Sequence, residues 1–233
     1  MTRGFLFASL AAVAVLGFAP GLAAPANKAA AAKDWSRTVV MTPEGGFRMG
    51  NPAAKVKLVE YGSLTCPHCA DFSKSASGPI AAAVKSGKLS FEYRSMVLNG
   101  IDAAATLLAR CGGPTRFFAI SGKMFATQEQ WLSKISGVPK AEQDKTMALP
   151  VPERLARVAE LGGLTQLAAQ SGVTPDEARK CLTDPAAHQR LGQMYEAATA
   201  LGIEGTPAFF INGNKVHAHD WAELQPLIRK AGG

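Results

Sequence analysis

The sequence predicts an α/β domain of order βαβ…ββα, opened between its two halves by a block of helices. Three observations carry this expectation. Strand, helix and strand patterns succeed one another from 55 to 95, as in a parallel βαβ unit. From about 100 to 201 helical signals recur without a convincing strand. A hairpin and a final helix then close the chain between 207 and 230.

The chain opens with Arg3, an apolar run at 4–18 and a small-residue stretch, "APGLAAPANKAAAAK". This order predicts a secretory signal peptide over 1–23, cleaved near Ala23 or Ala24, and a flexible leader over 24–34. An uncleaved anchor is the alternative, but the run falls short of the roughly 20 residues that span a bilayer. Export makes the expected compartment the periplasm, where thiols pair. Four cysteines in 233 residues are too few for a disulfide scaffold, so the 47% of hydrophobic residues must supply a core. The lysines and arginines behind the net charge of +7 are scattered, which reads as a solvated basic surface and not as a nucleic-acid tract.

"KVKLVEYGS" (55–63) reads as a buried strand ending in a Gly-Ser turn. A helix is expected over 66–77, kinked at Gly78-Pro79 because proline removes a backbone donor, and resuming through "IAAAVKSG". "LSFEYRS" (89–95) alternates Leu89, Phe91 and Tyr93 with polar residues and predicts a strand. In the middle block, "EQWLSKI" and "VPERLARVAELGG" have helical spacing. "TPDEARKCL" opens with Thr174, Pro175 and Glu177 as a capping box, and Asp184-Pro185 starts another helix. "PAFFING" and "KVHA" flank an Asn-Gly-Asn turn, and "DWAELQPLIRK" follows as an amphipathic helix capped by Asp220 and Glu223.

The chemistry lies in "SLTCPHCADF" (63–72). The strand-turn-helix context places Cys66 at the first turn of a helix, where unpaired N–H groups and the dipole favour a thiolate. Pro67 fits the first helical position, and His68 is a candidate further stabiliser of the sulfur. Such surroundings bring a cysteine pKa from about 8.5 to about 3.5–7.5. A stabilised thiolate stabilises the reduced protein, so the disulfide accepts electrons readily. Cys66 is expected to be the exposed nucleophile, and Cys69, one turn deeper, to be more buried, less ionised and placed to resolve a mixed disulfide. A staple over so short a loop adds little. A zinc site wants four ligands, and no second Cys-x-x-Cys or His-x-x-His exists. No Gly-rich phosphate loop is present, so no nucleotide, flavin or metal cofactor is expected. Cys111 and Cys181 fall on helices of the middle block. A structural disulfide is the expectation for them, with two buried free thiols as the alternative.

"VEYGSLTCPHCADF" followed by "GIEGTPAFFING" resembles the periplasmic thiol:disulfide interchange proteins of the DsbA family. The resemblance implies a thioredoxin fold made of 35–99 and 202–233, with an inserted helical domain at 100–201. It also implies a cis Pro207 against Cys66, with Thr206 and Pro207 forming a substrate groove, and Glu60 helping to move the proton of Cys69. The partners it implies are reduced or misfolded exported proteins and a quinone-linked membrane oxidase of the DsbB type. Thr206, where the best-known oxidase has valine, and Ser73, where it has a second buried acid, leave donation and isomerisation both open. A non-catalytic peptide-binding chaperone is a further alternative. Only about 25 to 30 residues separate the expected cleavage site from the first strand candidate, too few for a dimerisation domain, so a monomer is expected.

Overall fold

The computed structural model describes residues 1, 2, 4 and 33–232. The expected signal peptide and leader lie almost wholly outside the described residues. Contacts divide the chain into Met1–Ala31 and Ala32–Gly233, and the second unit is described here. No helix among the described residues is long and apolar enough to cross a membrane.

A six-stranded sheet forms the centre, built from β1 (Val39–Met41), β2 (Phe47–Gly50), β3 (Val56–Gly62), β4 (Leu89–Ser95), β5 (Ala208–Ile211) and β6 (Asn214–Val216). The strand order is β1-β2-β4-β3-β5-β6. Only β3 and β4 run parallel, joined by α1 (Pro67–Lys85). α10 (Trp221–Lys230) closes the chain. Between β4 and β5 lie α2 (Gly100–Cys111), α3 (Gly113–Ala126), α4 (Gln128–Ser136), α5 (Lys140–Ala148), α6 (Val151–Gly162), α7 (Leu164–Ala169), α8 (Pro175–Thr183) and α9 (Pro185–Ala200). The α/β order with an inserted helical block is therefore the observed architecture.

β3 sits in the middle, and its register sets the site. Leu58 faces Phe91 and Ile211, while Glu60 faces Tyr93 and Phe209. This face is covered by α1, where Phe72 lies 4.5 Å from Phe209, and by α3, where Phe117 and Phe125 meet Tyr93. On the other face Tyr61, Met96, Ala198 and Ile203 form a smaller core.

The structure departs from the sequence reading in three places. Two strands, β1 and β2, precede the first one expected; they are three and four residues long, too short to display a period. α1 carries Gly78 and Pro79 within one helix, in keeping with the resumed pattern beyond the proline. Its buried face, Phe72, Ala76, Ile80 and Val84, keeps a constant four-residue step across the proline. The carbonyl that loses its partner belongs to Ser75, on the exposed side of the helix, open to solvent. The polar residues of β4 are buried too, because the strand lies between β2 and β3. Glu92 is held there by Thr42 Oγ1 and Arg94 Nε, each 2.7 Å away. At α10, Asp220 accepts the Glu223 N–H, but Glu223 takes the N–H of His219 instead of closing the box on Asp220. The box at Thr174 and Glu177 is complete.

Cys111 at the end of α2 and Cys181 in α8 are disulfide-bonded, 70 positions apart. Chain entropy assigns a loop of that length about 4 kcal/mol. A Cys111→Ser, Cys181→Ser protein should therefore lose about that much stability and unfold at a lower urea midpoint. An unchanged midpoint would show that the packing of α2 on α8 already holds the block without the bond.

Candidate active site

The turn between β3 and α1 is built to present one sulfur. Cys66 is the N-cap of α1, with extended backbone (φ −80°, ψ 121°), and Pro67 is the first helical residue. Its own carbonyl accepts the Ala70 N–H at 3.2 Å, so the helix starts at Cys66. Backbone N–H groups of His68 and Cys69 are thereby left pointing at the Cys66 sulfur.

Cys66 is held well below the ordinary thiol range, at about 5. The largest cause is the Cys69 thiol, which donates to the Cys66 sulfur; burial opposes it, and Thr206 and the two backbone N–H groups add to it. While protonated, Cys66 Sγ donates to the Thr206 carbonyl, 3.2 Å away. The Thr206 hydroxyl is buried and has no partner in that state. Once the proton leaves, that hydroxyl is a free donor beside the thiolate. Cys69 is fully buried and pushed far up, first by its hydrogen bond to Cys66, then by burial and, once Glu60 ionises, by that carboxylate. Glu60, 3% exposed, is pushed up to about 8 by burial and by the charge on Cys66. At neutral pH the arrangement holds a thiolate, a thiol and a neutral carboxyl side by side.

Two expectations need correction. Cys66 is only 7% exposed, not an open nucleophile, because the Thr206–Pro207 segment and the helix start cover it. The His68 side chain is exposed and makes no hydrogen bond to the sulfur; what His68 lends Cys66 is its backbone N–H. The Thr206–Pro207 peptide is cis. Thr206 and Pro207, with His68, Glu204 and the stretch from Lys215 to His219, line a cavity of about 500 Å³ beside Cys66. A larger groove of about 960 Å³ runs along the other side of α1, from Pro67 to Gln128 and Leu132; neither cysteine lines either space, and only the first lies against Thr206, the contact of Cys66. Ser73 lines that second groove and not the cysteine pair.

The sequence reading passed over three side chains. Gln128, from α4, donates its amide to the carbonyls of both Leu64 and Cys66, at 2.8 and 2.9 Å. Asp102, from α2, is wholly buried and accepts the N–H groups of Leu64 and Leu98, each at 3.0 Å. These two tie the inserted helices to the cysteine turn. Tyr93, on β4, is the cross-strand partner of Glu60. An amide or carboxylate on a helix of mixed polarity carries no sign of a partner 38 or 62 positions away. Tyr93, by contrast, breaks a row of otherwise pure hydrocarbon on the buried face of its strand, a signal that was readable.

A family model described as thioredoxin matches residues 42–230. Among solved structures, a protein-disulfide isomerase from Novosphingobium aromaticivorans is 30% identical, with a TM-score of 0.74, and the match covers 81% of this chain and 98% of that one. Alpha-DsbA1 of Wolbachia pipientis shares the fold at 22% identity, with a TM-score of 0.65 over 82% of this chain and 92% of that one. A Rickettsia bellii protein named "Putative protein-disulfide oxidoreductase" is 28% identical over 81% of this chain. The chain spans 65% of the length of that relative.

Proposed function

This chain belongs to the thioredoxin family, among its DsbA-like members, and on that premise we propose that it is a periplasmic thiol:disulfide oxidoreductase donating its Cys66–Cys69 disulfide to exported proteins. The observation that carries the reading is the contrast between the two sulfurs, Cys66 with its pKa lowered to about 5 beneath Thr206 at the helix start and the buried Cys69 kept protonated.

In the donating direction a substrate thiolate attacks Cys66 Sγ, and the Cys66–Cys69 bond breaks. Cys69 leaves with the electron pair and takes a proton, which the neutral Glu60 carboxyl beside it supplies. A second substrate thiolate then attacks the substrate sulfur of the mixed disulfide. Cys66 departs as the stabilised thiolate, a good leaving group because its pKa is low. The substrate has lost two electrons and the pair has gained them. The cavity beside Pro207 receives the substrate segment that carries the attacking thiol, as an extended strand. Reoxidation falls to a quinone-linked membrane protein of the DsbB type, and the enzyme works as a monomer.

Isomerisation is the second reading. Thr206 and the likeness to a structure named as an isomerase favour it. The reduction potential separates the two. Equilibration with glutathione should place the couple at or above about −180 mV, toward the most oxidising members of this chemistry at about −120 mV. A potential near the about −270 mV of thioredoxin would overturn donation. The couple isolated mainly reduced from cells would favour isomerase or reductase work.

A further inference from the structure

Two buried oxygens beside the cysteines lack a hydrogen bond, Glu60 Oε1 and the Tyr93 hydroxyl. Both residues are more than nine-tenths buried, at 3% and 4% exposed. They are cross-strand partners at the centre of the sheet. A Cβ placed on Gly62 would lie 2.8 Å from the Tyr93 oxygen and 3.0 Å from Glu60 Oε1, so the two oxygens are at most about 5.8 Å apart, the sum of those distances. They do not bond directly. Two hydrogen bonds of about 2.8 Å laid end to end cover the same span. The same geometry explains Gly62, since any side chain there would strike the Tyr93 ring, 2.6 Å from the Cβ position.

The hydroxyl needs an explanation, because packing does not. The Tyr93 ring lies 5.7 Å from Phe117 and 6.1 Å from Phe125, contacts that phenylalanine would make equally well. A buried hydroxyl without a partner only weakens the fold. A buried water needs two to four polar partners, and these two oxygens supply two.

We propose that Tyr93 is a positioning residue for proton transfer at Cys69, holding the Glu60 carboxyl through one shared water. The charged and titratable groups around Glu60 are Cys66 and Cys69 from α1, Tyr93 from β4 and, behind Tyr93, Asp102 from α2. β5 contributes only Phe209. All of the ionisable neighbours are acidic, so the carboxylate left after Glu60 gives its proton to Cys69 meets no cation. The water donates to that carboxylate and accepts from Tyr93, which keeps its own proton throughout. Burial and the negative charges nearby hold the phenol protonated, consistent with a donor and not a relay.

The test is Tyr93→Phe in the full chain, which keeps the ring. In reduced protein labelled with carboxyl carbon-13 glutamate, the Glu60 titration midpoint should rise by about half a pH unit or more, since the charged form loses a donor. In Glu60→Gln, adding Tyr93→Phe should leave the pH profile of disulfide donation unchanged. In the wild-type background it should move the alkaline fall of that profile upward. A Glu60 midpoint unaltered in folded Tyr93→Phe overturns the proposal. So does the absence of a long-lived water cross-peak at the Tyr93 ring protons of the wild type, a measurement that needs no variant to fold. The kinetic arm rests on the donor reading above, whereas the titration and the water do not. A wild type that exchanges no disulfides would sink that reading and leave the contact intact.

Discussion

Cys69→Ala should stop disulfide exchange, down to the uncatalysed rate, and should leave disulfide-bearing proteins attached covalently at Cys66. The first attack needs only a sulfur that is ionised and reachable from the cavity at Pro207. Cys66 is held ionised by its position at the helix start, and its contact with Thr206 sets it next to a residue that lines that cavity. Release needs a second thiol within reach of the first, and Cys69, whose thiol donates to the Cys66 sulfur, is that thiol. Removing a wholly buried sulfur leaves a cavity smaller than a methyl pair, so the fold survives. Non-reducing electrophoresis should therefore show a new band that reductant removes, and peptide mapping should place the link at Cys66. Cys66→Ser should give neither band nor turnover. Turnover by Cys69→Ala, or a link formed through Cys111 or Cys181, would refute the division of labour between the two active cysteines.

How far the site could be read before the fold was known follows from how local each part is. The helix start at Cys66 is encoded within a few residues, by a strand, a Gly-Ser turn and Pro67, and it was legible. Of the thiolate's other supports, the Cys69 thiol is local, but Thr206 lies 140 positions away. Only the resemblance pointed there, because no local pattern predicts which loop will meet the sulfur. Glu60 looked like an ordinary strand carboxylate on periodicity alone. It is buried because β3 lies between two strands and beneath α1, a property of topology and not of its neighbours in sequence. β1 and β2 escaped notice for a related reason: they are strands only because β4 offers an edge to pair with. His68 misled because its ring is chemically suggestive, while the group that faces the sulfur is the backbone N–H that any residue other than proline would provide.

Reduced and oxidised protein should respond differently to pH. Cys66 is held at about 5 in the fold, against about 8.5 for an unfolded thiol. Above about 8.5 the thiolate exists in both states and its stabilisation is fully present; as pH falls toward 5 the advantage shrinks by about 1.4 kcal/mol per unit and then vanishes. Near pH 7 the reduced fold thus keeps about 3 kcal/mol that the oxidised fold, having no thiolate, lacks. Glu60 has the opposite sign. Its folded value of about 8 lies above that of an unfolded carboxyl, so its contribution is whole at acid pH and is lost as pH rises toward 8. That loss falls on both redox forms, because burial, its first cause, does not depend on the disulfide. As pH rises above 5 the oxidised protein should therefore lose stability until Glu60 is ionised, which without the Cys66 charge happens below 8, while the reduced protein, with the two effects opposed, should stay nearly level. Urea midpoints of both forms across that range test this directly, and Glu60→Gln should flatten the oxidised curve. The same proton count fixes the electrochemistry: above pH 5 reduction takes up one proton instead of two, so the potential should fall by about 30 mV per pH unit. Parallel stability curves, or a potential falling by about 60 mV per unit, would mean that the sulfur at the head of α1 carries its proton at neutral pH.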